Sequence, residues 1–334
     1  MARPARRPLS LALQGGGAHG AYTWGVLDRL AGEESLDIKA ITATSAGAMN
    51  AVAFASGYGT GGVDGAKEKL EALWRAVSRV SGALSVYGAL SPAAFAYASA
   101  LQSWASPYDL NPLNVNPLRD AVADVIDFDG VKASGLELFL SATDVESGHV
   151  KVFSGEEVTV DAVLASACLP QTFRAVEIGG HAYWDGGYLG NPSLFPLVYA
   201  GCPSDVLLVT LNPIGRPGVP KRAGEIQERV NEISFNAALI GELRAIAFVQ
   251  RLIDDGMLKE PMLKKYRRLN VHAIRGGDDL MQESLRTKYD TSWRFLTSLR
   301  DKGRAAAEAW LAGDAKHVGT KQSNIDLRKE FLQG

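Results

Sequence analysis

Leu9 to Gly20, LSLALQGGGAHG, decides how this chain is read. A short apolar run ends in three consecutive glycines and leads directly into an amphipathic segment, the order expected of a strand, a backbone nest and a helix N-terminus. Gly15, Gly16 and Gly17 carry no Cβ, so their N–H groups can turn toward an anionic oxygen, and the positive end of a helix starting near His19 adds to the field. That oxygen belongs either to a phosphate or to the oxyanion of acyl transfer. A second strand-to-turn signal follows in Ile38 to Gly47, IKAITATSAG, where a sharp strand-helix turn would expose the Ser45 hydroxyl.

The phosphate readings fit poorly. A nucleotide-triphosphate loop needs a Lys followed by Ser or Thr after its glycines, and this chain has AHGAY there. Gly15, Gly17 and Gly20 satisfy the dinucleotide spacing, and Asp37 falls near the place of a ribose-binding carboxylate. That reading leaves Ser45 without a purpose, whereas an ester hydrolase needs both a donor nest and a nucleophile.

Bulk properties narrow the classes further. The chain has 334 residues, 46% hydrophobic and 22% charged, enough for a sizeable core and without a low-complexity tract. A formal net charge of -2 gives no broad positive field, so nucleic acid is not an expected partner. The two cysteines, Cys168 and Cys202, form neither a zinc framework nor a disulfide scaffold and read as buried thiols. No apolar span is long enough to cross a membrane, and MARPARRPLS is followed by too short an apolar region for a secretory signal, so a cytoplasmic location is expected.

Along the chain, Leu9–Leu13 and Ile38–Ala43 read as strands, each followed by a helix, with a glycine-rich break over 57–65. Helical patterns follow at 66–79 and near 92–104, and Asn116-Pro117 reads as an N-cap with proline in the first turn. Strands are expected at 136–143, 148–153, 205–211 and 269–274, with a tight turn at Gly179-Gly180, a long helix over 222–259, and helices near 292–312 and 321–332. The alternation is that of an α/β domain with a central, mainly parallel sheet and helices on both faces.

Ser45 is the leading nucleophile, because its small neighbours and Gly47 meet the steric demand of a nucleophile elbow; its alternative is an N-cap serine. The base is less evident. Of the five histidines, none stands in an obvious loop after a late central strand unless His272 does; His272 lies in the alternating NVHAI, which reads as structural, and His149, His181 and His317 offer no such loop. His19 stands beside the nest, where it would tune the site electrostatically. Asp185 follows Tyr183-Trp184 and precedes Gly186-Gly187, so a shielded carboxylate with a raised pKa is expected there; its alternative is a turn aspartate.

Gly15-Gly16-Gly17-Ala18-His19-Gly20, Ala43-Thr44-Ser45-Ala46-Gly47 and Asp185-Gly186-Gly187, in that order, resemble the patatin-like phospholipases over roughly 9–211. The segment Ala165 to Pro170, ASACLP, resembles a block near that family's site. The resemblance implies a three-layer α/β fold and a covalent acyl-enzyme mechanism on lipid esters, with Ser45 as nucleophile, Asp185 as base without histidine, and Gly15, Gly16 and Gly17 as oxyanion donors. The chain shows no convincing metal-ligand cluster, so no metal and no cofactor are expected. Two departures stand out: Ala43 replaces the first glycine of G-x-S-x-G, and His19 stands where the family commonly has Arg or Lys. The expected organisation is a flexible basic arm over 1–8, a catalytic core over 9–211 and a mainly helical extension over 212–334 packed on the core. The expected partner is a lipid ester substrate, reached from a peripheral membrane surface that residues 84–101, Trp104 and Tyr108 would dock. Lysophospholipase or general carboxylesterase activity is the enzymatic alternative, and a binding module on a disabled hydrolase fold is the other.

Overall fold

The computed structural model describes residues 6–80, 106–281, 283 and 285–332. Its frame is an eight-stranded sheet. Five strands run parallel: β1 (Arg7–Leu13), β2 (Leu36–Thr44), β3 (Glu137–Asp144), β7 (Asp205–Thr210) and β8 (Asn270–Arg275), in the spatial order β3-β2-β1-β7-β8. Antiparallel to them run β4 (Val150–Ser154) and β6 (His181–Asp185), both paired with β3, while β5 (Val176–Ile178), paired antiparallel with β6, runs in the direction of the five. The Gly179-Gly180 turn joins β5 to β6 with both residues at positive φ, 61° and 84°, which is why two glycines serve there.

Helices cover both faces, and the strands show why. In β1, Leu9, Leu11 and Leu13 enter one apolar cluster while Ala12 enters the other; in β7, Leu207 and Val209 divide from Val206 and Leu208 in the same way. A strand whose two faces are both apolar must be covered twice. The first face carries α1 (Gly20–Ala31), α2 (Ala46–Val80), α3 (Pro117–Val125) and α4 (Phe128–Ala133), together with α5 (Val160–Ser166). The second carries α6 (Phe195–Tyr199) and the long α7 (Ala223–Asp254), whose Leu239, Leu243 and Ala247 pack on Ala12, Ala40 and Leu208. A last long helix, α8 (Trp293–Gly313), returns to the first face against α1. Their backbones meet at two glycines: a Cβ on Gly25 would lie 1.9 Å from the Arg300 carbonyl, and one on Gly303 would lie 2.0 Å from that of Tyr22.

The chain leaves β1 toward β2 and β3 on one side and returns to β7 and β8 on the other. The strand ends around β1 are therefore a topological switch point, where α/β sheets open a crevice for ligands. Gly15 and Ser45 both follow strands at this end.

Several boundaries differ from the sequence reading. Arg7 and Pro8, placed in the arm by the sequence reading, belong to β1, paired with Leu36 and Asp37. The glycine-rich break in α2 shrinks to a kink at Gly61 and Gly62, the latter at φ 61°. The strand expected at 269–274 is β8, which the extension supplies to the sheet edge. Near the C-terminus the helix covers only Leu327–Phe331. The helix expected near 92–104, and with it Trp104 and the docking residues 84–101, lies outside the described residues.

Candidate active site

Ser45 leaves β2 with φ at 56°, a left-handed conformation that disfavours any residue with a Cβ and costs about 1 kcal/mol. The surroundings hold it there. Its N–H donates to Ser166 Oγ at 2.9 Å, Ser166 Oγ donates to the Ser141 carbonyl at 2.6 Å, and its carbonyl starts the bonding of α2 by accepting Met49 N–H at 3.1 Å. The Gly15 loop abuts this turn: a Cβ on Gly15 would sit 2.7 Å from the Ser45 Cβ and 2.9 Å from the Thr44 carbonyl, so only glycine permits the approach. Ser166 lies in the ASACLP block, whose part in fixing the Ser45 turn no sequence pattern disclosed.

Asp185 reaches the same place along β3. That strand pairs with β2 up to Ser141↔Thr44 and with β6 from Ala142↔Asp185, while β4 pairs with both Ser141 and Ala142. One edge being taken by β4, β2 and β6 share the other, end to end. Asp185 is fully buried; its Oδ1 accepts the Gly187 N–H at 2.7 Å and its backbone N–H donates to the Cys168 carbonyl at 2.7 Å. Oδ2 is buried with no partner in hydrogen-bond geometry. Burial pushes the carboxyl up to about 6, against the opposing pull of the Gly187 N–H, the nearby Ser45 hydroxyl and the Lys288 charge. The Ser45 hydroxyl thus acts on the carboxylate without a well-formed bond, a looseness usual before substrate is bound.

A cavity of about 130 Å³ opens beside them, with Ser45, Asp185, Gly16, Gly17 and Ala18 in its wall. Most of the remaining lining is apolar, including Met49, Trp74, Val77, Leu118 and Phe173. The three glycines are not equivalent. Gly15 N–H donates to Asn191 Oδ1 at 2.7 Å and is therefore engaged, whereas Gly16 and Gly17 lie in the cavity wall, Gly17 at φ 59°. Gln14 fixes the base of the loop, accepting N–H groups of Leu211 and Asn212 at 2.6 and 2.8 Å and donating to Asn236 at 2.9 Å.

His19 stands beside the glycine loop, as the sequence suggested, but is packed away from the cavity. It is 3% exposed, outside the cavity wall, and its Nε2 lies 2.8 Å from Thr287 Oγ1. Burial, then the charges of Lys288 and Lys302, lowers its pKa to about 3, so it is neutral near pH 7 and supplies no charge to the site. The cation beside the loop is Lys288, which no motif signalled; its Nζ donates to Asn212 and Asn231, both at 2.8 Å. Burial lowers its pKa to about 8 despite the carboxylates of Glu232, Glu228 and Asp185.

No histidine lines the cavity among the described residues. His272 is buried in another place, with Nδ1 2.7 Å from Ser323 Oγ and Nε2 3.0 Å from Asp205 Oδ1. Cys168 and Cys202 are buried free thiols. Among the described residues there is no cluster of three His, Cys, Asp or Glu side chains suited to a metal ion, and no helix long and apolar enough to cross a membrane.

The chain is similar to two solved bacterial structures. It covers 90% of its length on 68% of VipD from Legionella pneumophila, at 14% identity and a TM-score of 0.37. It covers 97% of its length on 73% of a chain in the complex of full-length SpcU with full-length ExoU from the type III secretion system of Pseudomonas aeruginosa, at 15% identity and a TM-score of 0.27. No curated protein sequence matches it. The profile of the patatin-like phospholipases matches residues 11–198, more than half of the chain and the whole stretch from the glycine loop through Ser45 to Asp185, and the chain belongs to that family.

Proposed function

We propose that this protein is a serine acyl hydrolase that cleaves acyl esters of phospholipids or related lipids through a Ser45–Asp185 dyad. The observation that carries the proposal is the meeting, in the wall of one apolar cavity, of a serine held at positive φ and a buried carboxylate with an unpartnered oxygen. Asp185 takes the hydroxyl proton as Ser45 Oγ bonds to the ester carbonyl carbon, and the carbonyl oxygen becomes an oxyanion beside the Gly16 and Gly17 N–H groups. Collapse breaks the ester C–O bond, and the proton on Asp185 passes to the departing alkoxide. Water then attacks the acyl-enzyme, giving its proton to Asp185, and Ser45 leaves reprotonated with the fatty acid released. A carboxylate with a pKa of about 6 suits both halves, being ionised at neutral pH yet basic enough to accept a proton.

The substrate is expected to arrive from a lipid surface at which the protein is peripheral. Tyr108, Leu110, Leu113 and Val115 are 55%, 63%, 84% and 60% exposed, and the segment that carries them leads to Leu118 in the cavity wall.

The test is intact-mass detection of the acyl-enzyme across diacyl lipids, monoacyl lipids and simple esters, with Ser45→Ala as control. Ester turnover by wild type with a mass adduct on Ser45, and neither in folded Ser45→Ala, is the expected result. Equal turnover by folded Ser45→Ala refutes the nucleophile. No turnover and no labelling of folded wild type by a fluorophosphonate identifies a disabled hydrolase fold.

A further inference from the structure

Lys288 stands in the short 3-10 turn Leu285–Tyr289, beyond the residues matched by the family profile, yet it lines the same cavity as Ser45. Its backbone is brought there by the glycine loop, since a Cβ on Gly17 would lie 2.5 Å from the Lys288 carbonyl. Two of its three ammonium N–H donors are taken by the neutral amide oxygens of Asn212 and Asn231, at 2.8 Å each. No carboxylate of a described residue pairs with it: Glu232 is engaged by Arg216 at 2.6 Å and Arg229 at 3.1 Å. The fields of Glu228, Glu232 and Asp185 reach Lys288, and neutral His19 lies on the loop beside it. Of the described residues lining the cavity, Lys288 alone carries positive charge.

The carboxylates of Glu228, Glu232 and Asp185 act on Lys288 only across space, its direct partners being neutral amides, so an anion entering the cavity can pair with it directly. Asn212 and Asn231 fix the ammonium in place without neutralising it, as a recognition site for a charged substrate requires. We infer that Lys288, positioned by Asn212 and Asn231, receives a phosphate group borne on the same glycerol as the scissile ester. The enzyme then prefers acylglycerols carrying a phosphate on the glycerol to neutral acylglycerols of the same chain length. This rests on the proposed acyl hydrolase activity and adds to it a specificity-determining residue from outside the catalytic segment.

The experiment compares kcat/KM for 1-dodecanoylglycerol and 1-dodecanoylglycerol 3-phosphate in wild type, Lys288→Met and Lys288→Arg, each checked for a cooperative melt. The phosphate-to-neutral ratio is expected to fall about 10- to 100-fold in Lys288→Met and to recover in part in Lys288→Arg. A ratio within about threefold of wild type overturns the inference; if both substrates lose rate alike, Lys288 serves the oxyanion or the loop instead. A binding arm is independent of turnover: Ser45→Ala protein is titrated with dodecyl phosphate, dodecanol and inorganic phosphate, with and without Lys288→Met. Preference for dodecyl phosphate over both others, lost with the lysine, supports the inference. Inorganic phosphate binding as tightly as dodecyl phosphate overturns it in favour of a free-anion site. If wild type cleaves neither ester, the hydrolase reading fails and the binding arm alone decides Lys288. If Lys288→Met does not fold, the wild-type preference and its partial retention in Lys288→Arg remain the criterion.

Discussion

Asn191 Oδ1 accepts the N–H of Gly15 at 2.7 Å, and this one bond separates the first glycine of the loop from the two that follow. Asn191 also donates to the Phe235 carbonyl at 3.2 Å, so it ties the loop to α7. The loop is thereby held from outside, by a residue distant in sequence, while Gly16 and Gly17 remain in the cavity wall. Preorganised donors stabilise a developing oxyanion only if they need not move when it forms.

Asn191→Ala is accordingly expected to lower kcat/KM by about 10- to 100-fold, about 1.4–2.7 kcal/mol, with the loss mainly in kcat. Fluorophosphonate labelling rates and ester kinetics on the folded variant measure it. A loss confined to KM would mean that the loop positions substrate rather than the transition state.

Under the proposed dyad, Asp185 would link catalysis to stability through pH. Its carboxyl in the folded protein is raised from 3.8 to about 6 by burial, so folding favours its neutral form. That contribution is fully present below the unfolded value and is lost as pH rises through about 6. Asp185→Asn should therefore be the more stable protein near pH 8, by up to about 3 kcal/mol, with the difference closing toward pH 4. Activity runs the other way: wild-type kcat/KM climbs as pH rises through about 6, and Asp185→Asn is inactive throughout. Melting curves and pH-rate profiles on both proteins check the pair of trends, and a variant melting below wild type at pH 8 would contradict the burial argument.

His19 should contribute no ionisation between pH 5 and 9. With its pKa near 3 and its ring against Thr287 and Phe295, it is a neutral packing residue of the loop-helix junction. His19→Arg would bury a second cation close to Lys288, at a cost of about 3 kcal/mol or more. The expected result is a lowered melting temperature for His19→Arg, and for His19→Gln a pH-rate profile of unchanged shape. A limb that disappears in His19→Gln would show that the imidazole titrates in the working range after all.

The two strand-turn motifs were legible because each is local: a short apolar strand, then glycines or a small-residue turn. The parallel sheet with two covered faces also follows from strands apolar on both sides, as in Leu9 to Leu13. What joins Ser45 to Asp185 is a division of one edge of β3 between β2 and β6, and pairing of that kind leaves no trace in periodicity. The fate of individual polar groups was hidden for the same reason. Nothing around Gly15 marks Asn191 as its partner, nothing in AHGAY reveals that His19 is buried, and Lys288 enters only through a contact made when the distant turn folds onto Gly17.

His272 provides the control that separates a structural histidine from a catalytic one. It bridges Asp205, the first residue of β7, and Ser323 in the C-terminal segment, with Nε2 3.0 Å and Nδ1 2.7 Å from their oxygens. Asp205 Oδ1 also accepts the Gly319 N–H at 2.8 Å, so this buried chain fastens residues 319–323 to the outer strand β8. The strands around β1 are parallel, and Gly15 and Ser45 follow their C-terminal ends, whereas Asp205 begins its strand; the latch therefore lies away from the chemistry. His272→Ala removes two hydrogen bonds and leaves a buried void, a loss of about 2–4 kcal/mol. Ser323→Ala, which loses one of the two, should cost about 1 kcal/mol. Both should retain the wild-type rate of fluorophosphonate labelling at temperatures where they are folded, because neither touches Ser45 or Asp185. A labelling rate reduced more than about tenfold in folded His272→Ala, with its melt little changed, would instead make His272 part of the catalytic apparatus and remove the basis for a dyad.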